Sequence, residues 1–154
     1  MNNLRAFLDM IAVSELGAKL IKMSDNGYNV IVGSTPTNPI LFHDYSDHPR
    51  KLVQIKPGLA STAAGRYQLL KRYYAAYKKS LKLPDFSPSS QDAIAIQQIK
   101  ECRALSDIEA GHVAVAIGKC SHIWASLPGN TYGQHQNSIA SLEDAYERAG
   151  GVFG

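Results

Sequence analysis

The chain reads as a mostly helical α+β domain with a small sheet inserted after the first helix, and three observations predict this. Apolar residues recur at helical spacing through most of the longer segments. Strand-like composition is confined to GYNVIV (27–32) and ILFHDY (40–45). A length of 154 residues, with 45% hydrophobic and 19% charged, suits one compact domain with a core of its own.

The first helix is expected from about Leu4 to Glu15. Leu4, Phe7, Leu8, Ile11 and Ala12 share one face at the i, i+3, i+4, i+7 spacing, and Glu15 falls on that face, four residues beyond Ile11. Gly17 stands where helices commonly stop, because glycine takes positive φ without strain. Glu15 therefore sits in a last turn, where the carbonyl end of the helix dipole opposes a negative charge. Either the side chain reaches past the edge to water, or burial and the dipole raise its pKa and fit it to act as a general acid.

The two extended runs are separated by GSTPTNP, a turn or hairpin loop, and followed by SDHPRK and by a break at Pro57-Gly58. Ser61 or Thr62 is expected to cap a long helix carrying Leu69, Leu70, Tyr73, Tyr74, Tyr77 and Leu81, which Pro84 ends. SPSSQDAIAIQQIKEC starts with a serine-rich cap and continues as a helix. DIEAGHVAVAIGKC reads as one further helix weakened by Gly111, and SHIWASLPG as a short helical turn stopped at Pro128-Gly129. GNTYGQHQN is a mobile amide-rich loop, and IASLEDAYERAGG gives the last helix. Internal repeats and low-complexity linkers are missing from the sequence.

Composition narrows the function. No apolar run approaches the ~20 residues of a membrane span, and MNNLRAFLDM lacks the features of a signal peptide, so the chain is expected to be made in a cytoplasm and not exported by the standard route. Cys102 and Cys120 belong to no CxxC pair and read as reduced, partly buried small hydrophobes. Net charge is +3, yet Pro49 to Pro84 holds no Asp or Glu while Arg50, Lys51, Lys56, Arg66, Lys71, Arg72, Lys78, Lys79 and Lys82 all fall there. Such a stretch suits an anionic polymer, nucleic acid or wall polymer, or else a solvated helix face. His43, Asp44, Asp47 and His48 resemble a metal cluster, but no helix or strand spacing aligns them, and they read as a polar loop. No Ser-His-Asp or Cys-His arrangement has local support.

A second feature joins Glu15. In STAAGRYQLL, Gly65 falls in the first turn of the expected helix, where a glycine marks a close approach by another backbone or a ligand. Tyr67 and Gln68 follow, a ring and an amide of the kind that sugar hydroxyls and N-acetyl groups require; the plainer reading packs Tyr67 in the core and leaves Gln68 at the surface.

AFLDMIAVSE, GYNVIVG, DYSDHPRKLV, AGRYQLL, DFSPSSQDA, QQIKE and SHIWASLPGNTYGQ together give the chain a near full-length resemblance to the lambda-type phage endolysins, a family of lytic transglycosylases. That resemblance implies a lysozyme-like α+β fold, mostly helical, with a small antiparallel sheet lobe (about 26–60) inserted in a helical lobe. It also implies a cleft between the two lobes for peptidoglycan glycan strands. It makes Glu15 the catalytic acid/base and residues 51–60 and 128–139 the lips that close on the glycan. Tyr67, Gln68, Tyr132 and Gln134 are the expected substrate-binding residues. No cofactor, metal, nucleic acid or stable membrane insertion is called for. The expected setting is a monomer held in the host cytoplasm until a separate membrane pore protein releases it to the periplasmic wall. Departures lie at LGAKLIKMSDN just after Glu15, at the TPTNPILF hairpin and at Ala63.

The chemistry fits such an enzyme. Ordinary glycosidases use two carboxyl groups, whereas the approach to the Gly65 segment is acid-free from Pro49 onward. Asp44 and Asp47 lie just before it, so a hydrolytic muramidase with a second carboxylate there stays open. A non-catalytic protein that holds wall polymer or nucleic acid by the basic segment is the third reading.

Overall fold

The computed structural model describes residues 2–133 and 135–154. In chain order it contains α1 (Asn2–Leu16), α2 (Ala18–Lys22), β1 (Val53–Lys56), β2 (Leu59–Ser61), α3 (Lys71–Ser80), α4 (Pro88–Glu101), α5 (Leu105–Glu109), α6 (Val113–Cys120) and α7 (Ile139–Arg148). The chain divides into two compact units. One joins the segment ending at Glu15 to Ala95–Gly154, and the other is Leu16–Ile94.

In the first unit, α1 forms as its apolar spacing predicts, with Phe7, Leu8, Ile11 and Ala12 buried and Ala6 and Met10 widening the same face. The end of α4 from Ala95 onward and helices α5, α6 and α7 complete this unit, bringing Ile99, Ile108, Ala116, Ile117, Leu142 and Tyr146 out of solvent. Two helices, α5 and α6, stand where DIEAGHVAVAIGKC suggested one; the chain breaks at Gly111, whose amide bonds back to the Ile108 carbonyl. The last helix is capped as its sequence suggests, Ser138 Oγ accepting the Ser141 amide at 3.1 Å.

The second unit departs further from expectation. GYNVIV and ILFHDY make only single bridges, Val30 to Leu41 and Ile31 to Ala64, because tight turns (Tyr28 amide to Asp25, Val30 amide to Gly27) occupy the first run. The regular antiparallel sheet is instead β1 with β2 around Pro57-Gly58, in the register Val53↔Ser61, Gln54↔Ala60, Lys56↔Leu59 with a bulge. Its residues are nearly all exposed, so no alternation of apolar and polar residues announced it.

Helix α3 begins at Lys71, not after Ser61 or Thr62. Gly65 (φ +86°) and Gln68 (φ +54°) bend the chain into a closed turn in which Ala64 and Leu69 exchange both backbone hydrogen bonds, and no helix can pass through those angles. Thr62 still serves α3, since its Oγ1 accepts the Lys71 amide at 3.1 Å. Gly65 is thus a turn residue, and a Cβ there would collide with Gln91 Oε1 and meet Phe86 Cζ at 3.0 Å. The expected close approach is real, but the neighbour is the Gln91 side chain. Ile31, Phe42, Ala64, Leu69, Tyr74, Phe86 and Ile94 form the core of this unit.

Candidate active site

Glu15 lies in the last turn of α1, half-buried. The helix ends because Gly17 takes φ +81°, ψ 150°, a region almost confined to glycine, and the chain turns at once into α2. The Ser126 hydroxyl donates to Glu15 Oε2. Burial raises the carboxyl from an ordinary 4.5 to about 7, while the Ser126 hydrogen bond pulls in the opposite direction. At neutral pH the group is therefore divided between acid and carboxylate, which suits it to give a proton and take one back.

Ser126 is itself held. Ser14 Oγ lies 2.8 Å from Ser126 Oγ, Asn137 Nδ2 donates to Ser14 Oγ at 2.9 Å, and the Asn137 amide donates to the Ser126 carbonyl at 2.8 Å. Ser14, Ser126 and Asn137 escaped the sequence reading because 112 residues separate the two serines and no motif links them. Only the position of Ser14, directly before the inward carboxylate, offered a signal.

In the other unit, the Gly65–Gln68 turn is pinned from several sides. Gln91 Oε1 accepts the Arg66 amide at 2.9 Å, and its Nε2 donates to the carbonyls of Tyr28 and Phe86. Tyr67 is buried (5% exposed), its hydroxyl donating to Asp92 Oδ1 at 2.6 Å. Tyr28 donates to the same carboxylate at 2.9 Å, and Arg66 lies over both rings. Burial and the Asp92 charge push the Tyr67 phenol well above its usual range, so it stays a neutral donor. With its hydroxyl on Asp92, Tyr67 can act on a ligand chiefly by fixing the turn. Gln68 is half-buried and donates from Nε2 to the carbonyls of Gly65 and Val30, at 2.8 and 3.2 Å.

Tyr132 is exposed (53%), its hydroxyl donating to the His122 carbonyl at 3.2 Å. Gln134 lies outside the described residues. The loop around Tyr132 is organised by Asn130, whose Nδ2 donates to the carbonyls of Ser121, Ala125 and Leu127, while Gln136 Nε2 donates to Asn130. Trp124 is buried in the turn just before it.

The polar group at 43–48 is dispersed. His48 is buried against Tyr74 and Phe86; its Nδ1 accepts the Arg50 amide, leaving Nε2 to donate to the Leu69 carbonyl at 2.8 Å. Asp47 pairs with Arg50 at 2.8 Å, and Asp44 accepts the Ser46 amide at 2.9 Å, each interaction holding its carboxyl below the usual range. Among the described residues no group of His, Cys, Asp and Glu converges as a metal site. Both cysteines are free thiols. No helix among the described residues is long and apolar enough to cross a membrane. The basic segment is not one surface, since Arg66 is buried.

The profile of the family described as Endolysin matches residues 5–153. This chain belongs to the endolysin family. It is 54% identical to the endolysin of Escherichia phage lambda over 98% of this chain and 93% of that protein. It is 49% identical to the endolysin of Escherichia phage P2 over 97% and 94%. The solved bacteriophage lambda lysozyme complexed with a chitohexasaccharide shares the fold at a TM-score of 0.91 and 52% identity, covering 100% of this chain and 97% of that one. A second structure of lysozyme from bacteriophage lambda gives 0.87 and 53%, covering 100% and 98%. The lysozyme-like α+β class expected from sequence is therefore the observed one, and the endolysin is an enzyme that lyses the host cell wall.

Proposed function

We propose that this endolysin cleaves peptidoglycan glycan strands between N-acetylmuramic acid and N-acetylglucosamine by lytic transglycosylation, with Glu15 as the single acid and base. The observation that carries the proposal is the Glu15 carboxyl, raised to about 7 and bonded to a neutral hydroxyl. Protonated Glu15 gives its proton to the glycosidic oxygen, and the bond to the muramic acid anomeric carbon breaks. The muramic acid's own primary hydroxyl then attacks that carbon, and Glu15, now a carboxylate, takes the hydroxyl proton as the anhydro ring closes. Water is not consumed, so no second carboxylate is needed to activate it.

A hydrolytic muramidase would need a free second carboxylate, and both sequence candidates are engaged, Asp47 with Arg50 and Asp44 with the Ser46 amide. A related lysozyme crystallised with a chitohexasaccharide supports a chain of amino sugars as ligand. Gln68 and Tyr132, with Gln134 from sequence, are assigned to position the glycan, and Tyr67 to hold the turn that presents Gln68. No cofactor enters these steps. The protein acts as a monomer that waits in the host cytoplasm for a separate membrane pore. Clearing of permeabilised Gram-negative cells tests the assignment. Glu15→Gln should lose about 10²–10⁴-fold or more in rate, as expected for an acid/base group used twice, while glycan-strand binding persists. Clearing at near the unaltered rate would make Glu15 structural.

A further inference from the structure

Resting on the reading of Glu15 as acid and base, we propose that Asn137, Ser14 and Ser126 form a hydrogen-bond relay that positions the Glu15 carboxyl and keeps it returning to the ionised form after each proton gift. The relay has one consistent direction. Asn137 Nδ2 donates to Ser14 Oγ at 2.9 Å and to the Ser14 carbonyl at 3.2 Å. With that acceptor site filled, Ser14 turns its own proton to Ser126 Oγ, 2.8 Å away. Ser126 is then left with its proton aimed at Glu15 Oε2. Each link polarises the next, so the last hydroxyl is a stronger donor to a carboxylate than an isolated serine. Asn137 is fixed at its other end by its amide on the Ser126 carbonyl at 2.8 Å, which anchors the end of the 128–137 loop to the acid.

The relay opposes burial. Burial alone would leave Glu15 a good acid that regains its carboxylate form too rarely to act as base; a hydroxyl donating to Oε2 stabilises the ionised state and leaves Oε1 to carry the moving proton. The relay groups are hydroxyls and an amide, which do not titrate. Among the described residues no charged side chain enters the Glu15 shift, which comes from burial and the Ser126 hydroxyl. Ser14, Ser126 and Asn137 are therefore positioning residues, acting through Glu15.

Carbon-13 carboxyl titration of the substrate-free protein, with the Glu15 signal assigned by its loss in Glu15→Gln, reads the relay without using activity. Ser126→Ala should move the Glu15 midpoint upward by about one pH unit, the size of one lost charge-assisted hydrogen bond. Asn137→Ala and Ser14→Ala should move it in the same direction by less, and Ser126→Thr, which keeps the hydroxyl, should restore it. The alkaline limb of kcat/KM should shift in parallel with KM unchanged. A midpoint that stays in place in Ser126→Ala, or falls, overturns the relay even if Glu15→Gln is inactive. A relay that titrates as described beside an active Glu15→Gln would sink the catalytic reading instead.

Discussion

Glu15 and Asp92 are both carboxyl groups partly withdrawn from water, one in each compact unit, and their surroundings differ in kind. Asp92 accepts two phenolic hydroxyls, from Tyr28 and Tyr67, beside the buried Arg66. Glu15 has the Ser126 hydroxyl against a desolvation large enough to bring it to about 7. The first environment supplies two phenolic donors and ties a turn to a helix. The second holds a charge short of what would stabilise it, so the proton stays transferable. Two phenols converge on the Asp92 carboxyl, whereas the Glu15 carboxyl is withdrawn from water against the Ser126 hydroxyl.

Neutralising each group should expose that contrast. The largest effect is expected at Glu15. Its folded pKa is raised, so between about 4.5 and 7 the folded state holds a proton that the unfolded chain has lost. Stability from this group is therefore full below the unfolded value and falls as pH rises through that window. Glu15→Gln should be more stable than the parent by about 3 kcal/mol at pH 8, with the difference vanishing near pH 4. Urea titrations at the two pH values check this, and a variant less stable at pH 8 would break the comparison.

Asp92→Asn should act the other way, losing about 2 kcal/mol because the amide replaces one of the oxygens that accept the two phenols; a neutral result would remove Asp92 from the fold. The smallest stability effect is expected at Gln68→Ala, within about 1 kcal/mol of the parent, with slower glycan cleavage per folded molecule. Large destabilisation with unchanged turnover would assign Gln68 to the turn alone.

What could be read from the sequence follows from the range of each interaction. Helix α1 and its inward carboxylate were legible, because the i, i+4 spacing and Gly17 are local signals. The β1–β2 hairpin was not, since its residues face solvent and carry no alternating pattern. The start of α3 was misplaced because Gln68, a residue without glycine's freedom, takes φ +54° in the closed Ala64–Leu69 turn, which distant Val30 and Gln91 hold by hydrogen bonds. The Gln91 side chain that fills the space over Gly65 lies 26 residues further on, beyond any local motif. Ser126 and Asn137 become neighbours of Glu15 only once the unit closes, so the acid was visible in the sequence and its hydroxyl partner was not.

Mass spectrometry of wall digested in oxygen-18 water tests the central claim, that one carboxyl serves as acid and then base without activated water. Internal attack gives muropeptides ending in anhydro-N-acetylmuramic acid, non-reducing, unlabelled and lighter than hydrolysed ones by one water. The account predicts that product. Mainly reducing ends carrying the heavy oxygen would contradict it and turn the search for a second carboxylate to Asp44 and Asp47.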